Sequence, residues 1–300
     1  MRAIVTGGAG FIGSHVVDAL IARGDDVLVL DNLATGKREN VADGARLEVV
    51  DIREPLDAYF DGAELCFHLA AQAAVRVAVD RPDFDAEVNV LGTIRVLEAA
   101  RRHRTQVVFA STGGAIYGES DEPAGEDAER RPISPYGVSK LAGEEYLGAY
   151  NRLYGTRHVI LRYANVYGPR QDPHGEAGVV AIFLGLLAAG ERPQIFGDGT
   201  ATRDYVYVGD VAQATLAAPA GKGVFNIGTG IQTSVLELYE LCRRVAGSEL
   251  DAEHADARLG DLQRSVVAVA RADRELGWRP EVGLEDGLRR TWESFAGAEP

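Results

Sequence analysis

Tyr136 and Lys140 stand four positions apart in the run Ser134-Pro135-Tyr136-Gly137-Val138-Ser139-Lys140. Four residues make about one helical turn, so a helix beginning here presents phenol and ammonium on one face. An ammonium close to a phenol favours the phenolate and brings its pKa down from about 10 toward that of a working general base. The same ammonium can donate to a ribose hydroxyl. Chance supplies such a pair about once in ten chains with this content of tyrosine and lysine, so the spacing does not decide the matter alone. Composition adds to it. Of 31 basic side chains only three are lysines, Lys37, Lys140 and Lys222. A chain biased so far toward arginine has kept a compact, dehydratable ammonium at this spot.

A second constellation lies at the start of the chain. The apolar run Arg2–Thr6 passes into Gly7-Gly8-Ala9-Gly10-Phe11-Ile12-Gly13, and a helical pattern follows at once. Gly7 permits a tight turn, and Gly10 lets the amides of the turn and of Phe11 and Ile12 approach a pyrophosphate. Gly13 permits close helix–strand packing, and the helix start adds positive potential. Asp31, followed by Asn32, closes the next strand-like run eighteen residues after Gly13. An acid there accepts from both adenosine ribose hydroxyls and repels a 2′-phosphate, which favours NAD over NADP. Asp51-Ile52 ends a third run, where the acid can meet the adenine edge or simply cap a turn. Leu69-Ala70-Ala71-Gln72 ends a fourth, where small residues admit a cofactor to the backbone. His68, in an apolar run with no carboxylate at metal spacing, reads as a packed histidine, and no metal site is expected.

These residues need a frame to hold them. Strand patterns are expected at Arg2–Thr6, Val27–Leu30, Leu47–Val50, Glu64–Leu69, Gln106–Ala110, Thr156–Arg162 and Val224–Ile227. Helical patterns are expected at Phe11–Arg23, Phe84–His103, Pro135–Tyr154, Val179–Ala189 and Ser234–Val245. Nearly continuous apolar strands alternating with helices imply an α/β protein, a Rossmann-type doubly wound parallel sheet with a smaller, interleaved C-terminal substrate domain. Residues 1–165 form the NAD-binding part, with later returns near 205–245, and 166–300 the rest.

Composition bounds what such a frame can do. With 31 basic and 45 acidic residues in 300 the net charge is −14. Nothing in that balance attracts nucleic acid or an anionic membrane, so any phosphate site must be local. No charged-then-apolar leader and no run of eighteen apolar residues occurs, and the expectation is a cytoplasmic protein with no membrane partner. Cys66 and Cys242 form no metal pattern and read as buried reduced thiols.

Taken together, Gly7–Gly13, Asp31, the Tyr136/Lys140 pair, Asn165-Val166-Tyr167-Gly168-Pro169 and Phe196-Gly197-Asp198-Gly199 resemble the extended short-chain dehydrogenase/reductase family. More narrowly, they resemble its nucleotide-sugar (UDP-hexose) 4-epimerases, and the resemblance covers essentially the whole chain. It implies bound NAD, a UDP-sugar substrate and inversion at C4 through a transient 4-keto sugar, with Tyr136 as the base toward O4. It implies a Ser or Thr at the end of the strand near 107–110, beside Ser111. Counting from the strand gives Thr112, whereas counting back from Tyr117 gives Gly113. It places Tyr163 near the nicotinamide, Asn165 on the diphosphate, Ile195 and Phe196 on the uracil, Arg203 on a phosphate, and Arg258 with Asp261 on phosphate and ribose. A homodimer built on the helices near 84–103 and 135–154 is implied too. The related 4,6-dehydratases carry an Asp-Glu pair directly after the threonine. Here Gly113 and Gly114 stand there, and glycine moves no proton. UDP-glucose/UDP-galactose and UDP-glucuronate/UDP-galacturonate share every motif above; a C6 carboxylate would want a cation, for which Arg192, Arg76 and Arg170 are candidates. Two other classes remain open: a nucleotide-sugar 4-ketoreductase, against which Asp31 argues, and a non-catalytic dinucleotide-binding protein, which needs no Tyr/Lys pair.

Overall fold

The structure is a computed structural model and describes residues 1–119, 122–174, 178–257 and 262–296. Seven strands, β1 (Arg2–Thr6), β2 (Asp26–Asp31), β3 (Arg46–Val49), β4 (Leu65–His68), β5 (Gln106–Thr112), β6 (Val159–Tyr163) and Gly223–Ile227, form one sheet. All its pairings are parallel, and Gly223–Ile227 joins it late, beside β6. In space the order runs from Gly223–Ile227 through β6, β5, β4, β1 and β2 to β3. The chain therefore winds outward from β1 in one direction, then returns to β4 and winds outward in the other. The crevice between β1 and β4 is the switch point, where an open α/β sheet binds its ligand.

Side chains alternate across the strands, and the two faces bury separate cores. Ala3, Val5, Val27, Val29 and Phe67 pack on one face under α1 (Phe11–Ala22). Ile4, Leu28, Leu30, Cys66 and Phe109 pack on the other, with Val96, Leu97 and Leu147 from the helices there. Covered on both faces, the strands need no polar residues, which is why they read as apolar runs.

The helices on that second face are α2 (Val75–Asp80), α3 (Pro82–Ala86), a π-helical segment Glu87–Gly92, α4 (Thr93–His103), the short α5 (Gly113–Ile116) and the long α6 (Pro135–Tyr154). The single helix expected over Phe84–His103 is thus three pieces. The wider π turn brings Asn89 inward, where it is buried and hydrogen-bonded. α6 starts and ends as expected: Ser134 caps it through the Gly137 amide, Pro135 takes the first turn, and Gly155 ends it at φ +66°. β6 begins at Val159, not Thr156, because the Asn151 carboxamide oxygen holds Thr156 Oγ1 and the His158 amide out of the ladder.

A third core lies beyond the sheet, where α7 (Val179–Ala188), α9 (Val235–Ala246) and the C-terminal helix Leu284–Ala296 bury Phe183, Leu184, Ile195, Leu238 and Leu288. α8 (Val208–Ala217), which lies between α7 and α9 in the chain, contributes Val211 and Ala214 to the first core instead, beside α1. Neither α8 nor Leu284–Ala296 was anticipated from sequence. Cys66 and Cys242 are buried and unlinked. Among the described residues no helix is long and apolar enough to cross a membrane.

Candidate functional site

At the switch point Gly7 takes φ +71°, and a Cβ there would meet the Ala70 amide nitrogen at 2.6 Å. A Cβ on Gly13 would run into the Gly7 carbonyl. The turn is closed by Gly10 N donating to Gly7 O at 3.2 Å. Gly10 caps α1 with no side chain, and the first turn carries no acid, so the amides of Phe11, Ile12 and Gly13 face the crevice with their partial positive charge uncancelled. Close by, the buried Asp31 carboxylate accepts from Ala9 N at 2.9 Å and from Leu33 N at 2.8 Å. The acid is locked to the glycine turn, with its remaining lone pairs fixed in direction. A backbone cradle that any Cβ would fill, beside an anchored acceptor, fits a dinucleotide pyrophosphate and ribose.

Asp51 is more committed than expected. Its carboxylate accepts from the Arg53 guanidinium, the Arg53 amide and Asn32 Nδ2, and these bonds, the Arg53 side chain foremost, hold it well below the usual carboxylate range. It braces the crevice rim, and Ile52 beneath it is core. Gln72 is also spent inside the protein: its Nε2 donates to Asp85 Oδ1 at 2.9 Å and to Ala74 O at 3.0 Å. Leu69 and Ala70 hang from Thr6 by their amides, and Ala71 follows them. His68 is packed, as read from sequence. Thr6 Oγ1 lies 2.7 Å from its Nδ1 and Thr93 Oγ1 lies 3.0 Å from its Nε2, and burial, with the Lys140 charge, pushes it down to about 3.

Beyond the glycine turn opens a cavity of about 270 Å³. Phe11 and Ile12 of the glycine turn line it, together with Ser111, Thr112, Tyr136, Tyr163, Asn165, Gln171, Val180 and Tyr205. Thr112 and Tyr136 therefore line one cavity, whereas a Cβ on Gly113 would strike Val267, which does not line it. Tyr163 is held by its hydroxyl, 2.8 Å from Thr215 Oγ1. Ser111 donates to Glu144 Oε1 at 2.5 Å and is fixed from behind.

The proton affinities correct one expectation. Burial dominates at Tyr136 and pushes the phenol up to about 12, with the Asp85 charge adding to it. Lys140 does not lower it. Burial pulls Lys140 itself down to about 8, while Glu144 and Asp85 hold it up. Its ammonium lies 4.4 Å from the Phe109 ring centroid, and among the described residues neither Lys140 Nζ nor the Tyr136 hydroxyl has a hydrogen-bond partner.

Several substrate-side expectations are not met by side-chain placement. Ile195 is 1% exposed and packs in the third core, so only its backbone could reach a base; Phe196, next along, is half-buried. Arg203 folds back on Thr202 O at 2.8 Å. Arg192 is exposed and lies 3.9 Å from Glu253, Arg170 lies 2.7 Å from Asp18, and neither these nor Arg76 lines the cavity. Arg258 and Asp261 lie outside the described residues. Sequence reasoning missed Gln171, Tyr205, Asp85 and Glu144. Only Glu144 had a signal, one further helical turn beyond Tyr136 and Lys140.

A doubly wound parallel sheet with a glycine turn, a buried acid beside it and a phenol–ammonium pair without hydrogen-bond partners among the described residues defines a dinucleotide-dependent enzyme of the short-chain dehydrogenase/reductase type. Comparison with known proteins narrows this. Residues 3–228 match the NAD dependent epimerase/dehydratase family. The UDP-glucose 4-epimerase of Mycolicibacterium smegmatis is 47% identical over 308 residues, covering 98% of each chain. The crystal structure of the Thermotoga maritima UDP-glucose 4-epimerase with UDP-glucose superposes at TM-score 0.97, with 46% identity over 98% of each chain. That of the Thermus thermophilus UDP-glucose 4-epimerase with NAD superposes at 0.95, with 49% identity over 100% of each. The chain belongs to the NAD dependent epimerase/dehydratase family, within the extended short-chain dehydrogenases/reductases, and its cofactor is NAD.

Proposed function

We propose that this NAD-dependent nucleotide-sugar 4-epimerase inverts C4 of a UDP-hexose through a transient 4-keto sugar, with Tyr136 removing and returning the O4 proton. The observation that carries this reading is the shared cavity. Thr112 and the Tyr136 phenol face one space, directly beyond the turn that holds the dinucleotide. Bound NAD supplies the hydride acceptor and donor at C4. Thr112 Oγ1 hydrogen-bonds O4 and aligns it with Tyr136. A phenol held as high as about 12 is a strong base once ionised, and the Lys140 ammonium, without a hydrogen-bond partner among the described residues, is available to donate to ribose. Gly7, Gly10 and Gly13 with Asp31 hold the dinucleotide, while Asn165, which lines the cavity, engages the diphosphate, about which the ketone turns over.

The same reading assigns 1–165, with returns near 205–245, to NAD and most of 166–300 to the UDP-sugar. At C6 it favours hydroxymethyl over carboxylate: no described residue lining the cavity carries a charge, so a carboxylate would lack a counter-ion there. Relatives named for UDP-glucose support the same choice. A second copy of the chain is the partner that suits α6 and the π segment, where Val138, Tyr146 and Leu91 are exposed.

The test is conversion of UDP-galactose by the purified NAD-loaded protein, with UDP-glucuronate in parallel and no net change in cofactor. Tyr136→Phe should lower kcat by roughly 10²–10⁴-fold. Near-native turnover by that variant overturns the mechanism, and preference for the uronate overturns the C6 assignment.

A further inference from the structure

Asp85 on α3 is 1% exposed, a carboxylate buried with no cation bonded to it among the described residues. Its Oδ1 accepts from Gln72 Nε2 and from Asn89 Nδ2, both at 2.9 Å. Asn89 returns the connection: its Oδ1 accepts from Gln72 N at 2.9 Å, and its Nδ2 also lies 2.9 Å from Gln72 O and 3.1 Å from Ser139 Oγ. Ser139 Oγ in turn donates to the Tyr136 carbonyl at 3.0 Å. The Asn89 side chain therefore links the loop that follows β4 to the first turn of α6, and the Asp85 carboxylate holds both Asn89 and Gln72 in place. The π-helical segment explains how: the added residue in that turn points Asn89 inward.

We propose that Asp85 is a positioning residue for the Tyr136–Lys140 pair, its carboxylate fixing Gln72 and the Asn89 side chain that clamps the loop after β4 to the first turn of α6, and its charge facing the pair from α3. This rests on the epimerase reading for what the pair does, but not for the geometry. Neutral residues could supply the clamp alone; a buried carboxylate costs more to keep than an amide, and its added property is its field. Asp85 acts on both members in the same sense, holding the phenol protonated and the amine charged. Other ionisable groups face the pair too. Glu144 on α6 also holds Lys140 up, but it is bonded to Arg162 on β6. His68 on β4 is neutral. Tyr163 on β6 is pushed high by burial and bonded to Thr215. Arg76, Asp80, Arg81, Asp83 and Glu87, on and around α3, are exposed and screened by water. Asp85 is thus the buried charge at the pair that no cation neutralises among the described residues.

Asp85→Asn separates charge from clamp, because the amide oxygen still accepts from Gln72 and Asn89. In the NAD-loaded enzyme the bell of kcat against pH should move to lower pH on both limbs, by roughly 1 unit. Its lower limb falls where the ammonium titrates, near 8, and its upper limb where the phenol does. Ser139→Ala cuts the clamp and keeps the charge, so activity should fall while the bell stays in place. A bell unmoved in Asp85→Asn, or moved as far by Ser139→Ala, overturns the assignment. If Asp85→Asn is not recovered folded, Asp85→Ser carries the same expectation. Onset of the phenolate absorbance that Tyr136→Phe removes gives the same shift without turnover. Wild-type protein that fails on every UDP-hexose yet shows this shift on losing Asp85 overturns the epimerase reading alone.

Discussion

Along one face of α6 three polar residues follow at four-residue intervals, Tyr136, Lys140 and Glu144, and the molecule treats the first two and the third in opposite ways. Glu144 accepts from Ser111 Oγ, from Arg162 Nε at 2.9 Å and from Arg162 Nη2 at 2.6 Å, and the pair is sealed from solvent. Arg162 goes on to Tyr117 at 2.6 Å, and Tyr117 to Asn226 at 2.7 Å, so every polar end is used. One turn earlier, Lys140 lies over the Phe109 ring, and among the described residues neither it nor the Tyr136 hydroxyl has a hydrogen-bond partner. The lesson is a division of labour within about 12 Å of helix. Protein satisfies the far end and makes it stiff; the near end is left for the ligand to satisfy.

The sharpest way to break this comparison is to remove Glu144. Glu144→Ala leaves the Arg162 guanidinium buried without a counter-charge, and folding stability should fall by about 3–5 kcal/mol, read from denaturant unfolding. A variant of wild-type stability would show that the far end is no anchor. Truncating Tyr136 should by contrast leave stability nearly untouched while removing turnover.

A smaller effect comes from His68, beneath the near end. Its folded-state pKa of about 3 lies below the ordinary 6.5, so as pH falls the unfolded chain takes the proton first. The contribution is therefore full above about 6.5 and is lost on descending toward 3. Roughly 2 kcal/mol should go between pH 7 and 5 from this residue, and His158, pushed down to about 4 by burial, adds in the same direction. Lys140→Met should weaken this acid sensitivity, because the ammonium is part of what keeps His68 neutral. If stability is flat over that range, His68 is not held neutral. The smallest effect is at the cap: Ser134→Ala removes the acceptor for Gly137 N and should cost about 1 kcal/mol, with a modest loss of kcat from a looser Tyr136.

How legible was this in the sequence? The sheet was, because strands buried on both faces are apolar throughout and their helices alternate with them. β1 and α6 fall where expected, α6 because Ser134, Pro135 and Gly155 mark its ends in residue types. The π segment was not legible. A periodicity of 3.6 takes Asn89 for a surface position, and only the completed packing shows it bonded to Asp85, Gln72 and Ser139. For the same reason Tyr136 and Lys140 could be chosen by spacing, while their proton affinities could not: proximity argues for a lowered phenol, and burial, invisible in the string of letters, reverses it. Ile195 and Arg203 show a related limit. A motif places a residue along the chain, but whether its side chain turns to core, backbone or cleft is decided by neighbours far away in sequence.

The double anchorage of Asp31 has a consequence for how cofactor preference could change over evolutionary time or at the bench. The carboxylate that would turn away a phosphorylated ribose is also the latch on Ala9 and Leu33, so swapping it for a small neutral residue unfastens the turn along with the repulsion. A lineage drifting toward the phosphorylated coenzyme would have to rebuild that latch first, and discrimination is thereby protected by architecture as well as by charge.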